Sequence, residues 1–276
     1  PQDTSTSVFT VRKGKQTFAD LPQAVRNALE GRIIVLSEYT QIGYDGLSDV
    51  FVNTNAGVFP NPQELRNAKN TPWADYVREL RCEIPELLGY MFTNYKRRYC
   101  GDDWIVDCLD FVLNVKTDEY NDEDELIKTT YSPISQGSKN NLYKSEFLTA
   151  SEQVRIRDTF VDLASILTQL IDETSGKEQK KRLKRKSLIQ NLFFMMYNGL
   201  TSYDHVKLAI DLHDKAYDDK GNFFCPNFSD NEEYNDLTFK NACEGARAVN
   251  MEFRYLQLNR IMSQVLGTEL NKAFNL

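Results

Sequence analysis

Between Ser151 and Glu173 the apolar residues Ile156, Phe160, Leu163, Leu167 and Leu170 recur at spacings of four and three. An α-helix lines such positions up as one stripe, and a stripe of this width is stable only when other apolar surfaces cover it. The spacing therefore predicts a long helix ended by Gly176, packed as the seam of a bundle. Neighbouring segments supply the covering faces. Thr71-Pro72 opens a helix through Arg81. Ile84 to Tyr99 reads as one helix with Leu87, Leu88, Met91, Phe92 and Tyr95 on one side. Asp102 to Val115 carries Trp104, Ile105, Cys108, Leu109 and Val112 on one side. Beyond the seam, Leu183 to Tyr197, Ser202 to Tyr217 and Asn241 to Val265 read as further bundle helices, with Gly221 to Asp230 as a loop. The acidic stretch Thr117 to Glu125 and the turn-rich stretch Tyr131 to Asn141 read as a separator.

The front of the chain has a different texture. Val8 to Arg12 alternates weakly and Ile33 to Leu36 is β-branched, so both read as strands. Between them Leu21-Pro22, Gln23 to Glu30 and Gly31 read as a short helix with Pro at its start and Gly past its end. Pro60-Asn61-Pro62 leads into a helix over Gln63 to Lys69, with Asn61 as cap and Pro62 in the first helical position. The expected fold class is α+β, predominantly α, divided as 1–70 (small α/β part), 71–130 (helical extension) and 131–276 (helical bundle).

A formal charge of -7 excludes a protein that coats nucleic acid by bulk charge, so any DNA contact must use a local basic surface. The five cysteines form no C-x-x-C pair, and a chain of this size needs no disulfide staples. A reducing compartment, no zinc site and small buried thiols are the expectation. No apolar run approaches the roughly 20 residues a membrane helix needs, so no membrane partner is expected. Phosphate-loop, G-x-G-x-x-G and G-x-S-x-G signatures are absent, and the residues alone support no catalytic mechanism.

Three groups of residues attract a functional reading. Asn55, Gly57, Gln63, Glu64, Arg66 and Asn67 combine a glycine turn with a helix start. They either grip a phosphate, with Arg66 as a bidentate donor steadied by Glu64, or complete a helix cap while Arg66 faces solvent. Lys177, Lys180, Lys181, Arg182, Lys184, Arg185 and Lys186 form the strongest basic run. It either contacts DNA phosphates independently of sequence or is a solvated helix start balancing Asp172 and Glu173. Lys96, Arg97 and Arg98, between Tyr95 and Tyr99, form a smaller group. His205 and His213 are eight residues apart on one expected helix, too far for one metal ion.

Lys13 to Pro22 (KGKQTFADLP), Ile33 to Tyr39 (IIVLSEY) and Val50 to Ala68 (VFVNTNAGVFPNPQELRNA) follow one another in an order with a family resemblance. Together they resemble the ParB/sulfiredoxin-like domain at the front of GmrSD-type restriction endonucleases, nucleotide-dependent enzymes that cut modified phage DNA. The resemblance covers about the first hundred residues well and the helical remainder loosely. The Arg that the family carries shortly after Phe51 is replaced by Val52 and Asn53, and the loop is one residue short. The family's Asp-Gly-Gln-Gln-Arg phrase, expected upstream of Lys15 to Pro22, is missing from a sequence that begins at Pro1. Either this is a piece of a longer protein or it has lost the active centre. The resemblance implies a DNA-associated role in phage–host conflict, in a bacterial cytoplasm or a virion, with an NTP and Mg as cofactors only if the upstream phrase exists. The alternative is a non-enzymatic phage structural protein that works through DNA-backbone or protein contacts, other protein subunits included.

Overall fold

The computed structural model describes residues 17–31, 46, 50, 60–69, 71–121, 124–218, 238–245 and 247–267. The chain divides into two units, Pro1–Ile42 and Gly43–Leu276. In the first unit a 3-10 turn, Phe18–Asp20, precedes helix α1, Gln23–Glu30, which stops at Gly31 as its sequence predicts. The expected strands at Val8 to Arg12 and Ile33 to Leu36 lie outside the described residues, as do Asn55 and Gly57.

Among the described residues the second unit is helical apart from one hairpin, which makes the fold α+β with α strongly dominant. Its helices are α2 (Pro62–Ala68), α3 (Pro72–Glu83), α4 (Pro85–Met91) and α5 (Cys100–Leu113). Strands β1 (Lys116–Tyr120) and β2 (Leu126–Tyr131) follow, then α6 (Gln136–Leu142), α7 (Ala150–Glu173) and α8 (Lys177–Leu183). The chain continues with α9 (Lys186–Tyr197), α10 (Tyr203–Asp218), α11 (Phe239–Glu244) and α12 (Ala248–Leu266).

Two helix starts show the local cause most clearly. Asn61 Oδ1 accepts from the Glu64 N–H at 2.8 Å while the Glu64 carboxylate accepts from the Asn61 N–H at 2.6 Å. This reciprocal box satisfies two amides that the first turn of α2 leaves open. Thr149 and Glu152 do the same at α7, with the Thr149 N–H donating to Glu152 at 2.8 Å. The buried face of α7 is the predicted stripe, joined by Thr159 and Ile171. Phe160 on that stripe stacks on Phe193 of α9 with ring centroids 4.0 Å apart, and Trp104 of α5 meets it edge-on at 6.1 Å. One apolar core runs from Trp73 to Val265.

Three segments differ from their expectation. The stretch from Ile84 to Tyr99 is not one helix: α4 stops at Met91, Phe92 turns extended, and Arg98 and Tyr99 take left-handed backbone at φ 51° and 55°. The described residues of the separator, 117–121 and 124–141, include regular structure. β1 and β2 pair antiparallel from Lys116↔Tyr131 to Tyr120↔Leu126, with an irregularity between Glu119 and Tyr120, and α6 follows directly. The expected helix over Asn241 to Val265 is interrupted at Gly245, where a Cβ would sit 2.1 Å from the Asn250 amide nitrogen.

Candidate functional site

Arg66 is 1% exposed, and its guanidinium makes four hydrogen bonds inside the protein. Nε donates to Gln63 at 2.8 Å, Nη1 to Gln136 at 2.9 Å and to Asn140 at 3.1 Å, and Nη2 to Asp103 at 2.7 Å. Asn67 donates to Asp102 at 2.8 Å, and Arg81 donates to both oxygens of that carboxylate at 3.0 Å. Burial pushes Asp102 above the usual carboxylate range, and the Asn67 and Arg81 donors work against that rise. Lys139 adds a second cation to Asp103 at 3.0 Å and reaches Asp107 at 2.7 Å. Gln63 also donates to the Tyr143 hydroxyl at 3.3 Å, and burial raises that phenol to about 12. Glu64 turns the other way. It accepts from Arg98 at 3.0 Å, and that bond holds its carboxyl below the usual range. Gln63, Arg66 and Asn67 therefore form a joint that fastens α2 to α5 and α6, while Glu64 ties α2 to Arg98. Arg66 neither faces solvent nor pairs with Glu64.

The basic run is arranged differently. Lys177, Lys181, Arg182 and Lys186 are exposed and Lys180, Lys184 and Arg185 are half-buried. Glu173 accepts hydrogen bonds from Tyr203 and Gln169 and keeps its negative charge. Arg185 pairs with Asp214 at 2.5 Å and lies 4.4 Å from the Tyr217 ring centroid. Lys184 and Lys186 sit over aromatic rings, Tyr90 at 5.3 Å and Phe92 at 3.9 Å. Phe92 is only four residues from Lys96 and five from Arg97, both exposed. At roughly 3.3–3.6 Å per residue of extended chain, Lys96 stays within about 15 Å of Phe92. Lys186 thus reaches the segment that leads to Lys96 and Arg97, eighty residues before the basic run in sequence. Lys177, Lys180 and Lys181 have no ion-pair partner among the described residues.

Beside this surface a cleft of about 770 Å³ opens between α7, α8 and α10, with Leu170, Leu183 and Ile210 at its floor. Arg182, Lys207 and Lys215 line it together with Glu173, Asp211 and Asp214.

A second buried polar cluster, not foreseen from sequence, lies behind it. Arg254 is 2% exposed and donates through Nε to Asn191 Oδ1 at 2.6 Å and through Nη2 to Gln190 at 2.8 Å. Its guanidinium lies 4.3 Å from the Phe111 ring centroid. Because the Asn191 oxygen faces Arg254, its amide nitrogen faces His213 Nε2 at 2.9 Å and Cys243 Sγ at 3.3 Å. His213 Nε2 must then accept, which fixes the neutral ring with its proton on Nδ1, 3.7 Å from Asp214. Burial lowers the His213 pKa and raises that of Cys243, so the ring stays neutral and the thiol protonated. This is core architecture rather than reactive chemistry. His205 lies two turns away on α10, and no group of three or more His, Cys, Asp or Glu among the described residues is arranged to hold a metal ion. Likewise no described helix is long and apolar enough to cross a membrane.

No protein-family model, curated protein or solved structure matches the chain.

Proposed function

We propose that this is a DNA-associated protein that grips the phosphate backbone through the surface formed by Lys177 to Lys186 with Lys96 and Arg97. The observation that carries this reading is the run of seven cations from Lys177 to Lys186, with Lys177, Lys181, Arg182 and Lys186 exposed, on a protein of net charge -7; Lys186 over Phe92 at 3.9 Å carries it toward the segment that leads to Lys96 and Arg97. Local positive charge on an acidic chain favours a phosphate chain over nonspecific adsorption, because each neutralised phosphate releases bound counterions. The resemblance of the front segments to GmrSD-type proteins supports a role in phage–host conflict. In that setting the chain is a relative without the chemistry: Gln63, Arg66 and Asn67 turn their donors toward Asp102, Asp103, α6 and one another. The second reading, a phage structural protein that works through protein contacts, draws support from the exposed tip of the hairpin, where Ile127 is 65% exposed.

Fluorescence anisotropy with a labelled duplex at about 50 mM salt tests the proposal. Wild type binds, and Lys177→Glu/Lys180→Glu/Lys181→Glu loses at least tenfold in affinity with its thermal stability intact. Equal binding by both proteins, or no binding by wild type, overturns it.

A further inference from the structure

We propose that the basic surface takes single-stranded DNA in preference to duplex, with unpaired bases stacking on the rings of Tyr90, Phe92 and Tyr95. The inference rests on the DNA reading above and names the form of DNA. Each of these rings has an ammonium over it. Lys184 lies 5.3 Å from the Tyr90 centroid, Lys186 3.9 Å from that of Phe92 and Lys96 5.9 Å from that of Tyr95. The three rings are half-buried and pack against the core, whereas Lys96 and Lys186 are exposed. What lies over Phe92 and Tyr95 is therefore a flexible side chain at the surface, able to swing away and open the ring to a ligand.

The backbone holds these rings in place. The Tyr90 hydroxyl shares a hydrogen bond of 2.9 Å with that of Thr168 on α7. Phe92 is extended, and the turn that follows ends in two left-handed residues, Arg98 and Tyr99, a conformation that costs side-chain-bearing residues energy. Contacts with the start of α2 hold that turn. Asn61 donates to the Arg98 carbonyl at 3.0 Å, and the Arg98 guanidinium donates twice to Glu64 at 3.0 Å. The same turn leaves Lys96 and Arg97 exposed beside Tyr95. A duplex keeps its bases stacked inside and meets such a surface only through its phosphates. A single strand adds a free π-face on every base, and rings interleaved with cations suit both parts of it. When a base settles on Phe92, the Lys186 ammonium leaves the ring for the adjoining phosphate, so its contact is exchanged rather than lost.

Fluorescence anisotropy with a labelled oligothymidine strand and a duplex of equal phosphate count, at matched salt, tests the inference. Wild type binds the single strand at least about fivefold more tightly, the low end of what one stacked base contributes. Phe92→Leu keeps apolar bulk without an aromatic face. It loses that advantage, while its duplex affinity, the salt slope of its duplex binding and its melting temperature stay at wild-type values, and Tyr95→Leu behaves alike. Ultraviolet crosslinking of wild type to a strand carrying 5-iodouracil, mapped by peptide mass, needs no variant and places adducts within residues 90–95. Duplex binding as tight as or tighter than that of the single strand, a stably folded Phe92→Leu that binds the single strand like wild type, or adducts only elsewhere overturns the inference. Duplex binding that survives those results leaves the DNA reading standing, and no binding of either form ends both.

Discussion

Replacing Arg66 by Ala tests whether the joint between α2, α5 and α6 is structural. The side chain is 1% exposed, while its ion-pair partner Asp103 is 36% exposed and keeps Lys139. Breaking a fully buried pair costs about 3–5 kcal/mol, but the solvent and the second cation at Asp103 reduce this part to about 1–2 kcal/mol. Gln63, Gln136 and Asn140 each lose a donor, adding about 0.5–1 kcal/mol apiece. The sum is roughly 2.5–5 kcal/mol, a fall in Tm of about 5–20 °C at roughly 2–4 °C per kcal/mol for a chain of this size. Differential scanning calorimetry reads it directly. Arg66→Lys keeps the charge without the planar fork and falls between the two. A Tm for Arg66→Ala within about 2 °C of wild type refutes the reasoning and returns Arg66 to the role of a ligand arm.

Three further outcomes follow from other parts of the molecule. Burial holds His213 below its ordinary pKa of 6.5, so the folded state binds the proton less tightly than the unfolded chain. The stabilisation is complete above that value and is lost as pH falls through it, so wild type should lose stability from about pH 6.5 downward more steeply than His213→Gln; parallel pH–stability profiles would contradict this. Gly89 is exposed inside α4 with nothing within 4 Å of an added Cβ, whereas Gly199 holds φ +118°. Gly89→Ala should raise stability by about 0.5–1 kcal/mol and Gly199→Ala should lower it by about 1 kcal/mol or more; equal effects in urea melts would count against the conformational argument. Phe193→Ala, which removes the ring stacked on Phe160, should cost about 3–5 kcal/mol by the same assay, and a loss below 1 kcal/mol would show that the stack is not central to the core.

The legible parts of this fold are those with a strong local cause. The seam on α7 shows in its period, and α2 in the Asn61-Pro62 start and Glu64. The break after α4 did not show, because Phe92 and Tyr95 continue the apolar pattern while packing against the core from non-helical backbone, and neither Gly nor Pro marks the turn. The hairpin was hidden for the opposite reason: its strands are largely exposed and polar, so no alternation distinguishes them from a loop. The Arg66 joint was half legible. Its residues drew notice, but Asp103, Gln136 and Asn140 lie 37 to 74 positions away, beyond any local pattern. The Asn191–His213–Arg254 cluster gave no signal, since single polar residues on apolar helix faces look alike whether they are core or surface. The contact of Lys186 with Phe92 is made in three dimensions, ninety-four residues apart, and left no mark on the local sequence pattern.

The most direct test of the central claim is the salt dependence of duplex binding. Wild type should show log K falling linearly with log salt, and each of Lys177→Gln, Lys180→Gln and Lys181→Gln should flatten the slope by up to about 0.9, the value of one phosphate contact on duplex DNA. Binding that does not change with salt, or slopes that are the same in all four proteins, would contradict a backbone grip by this surface.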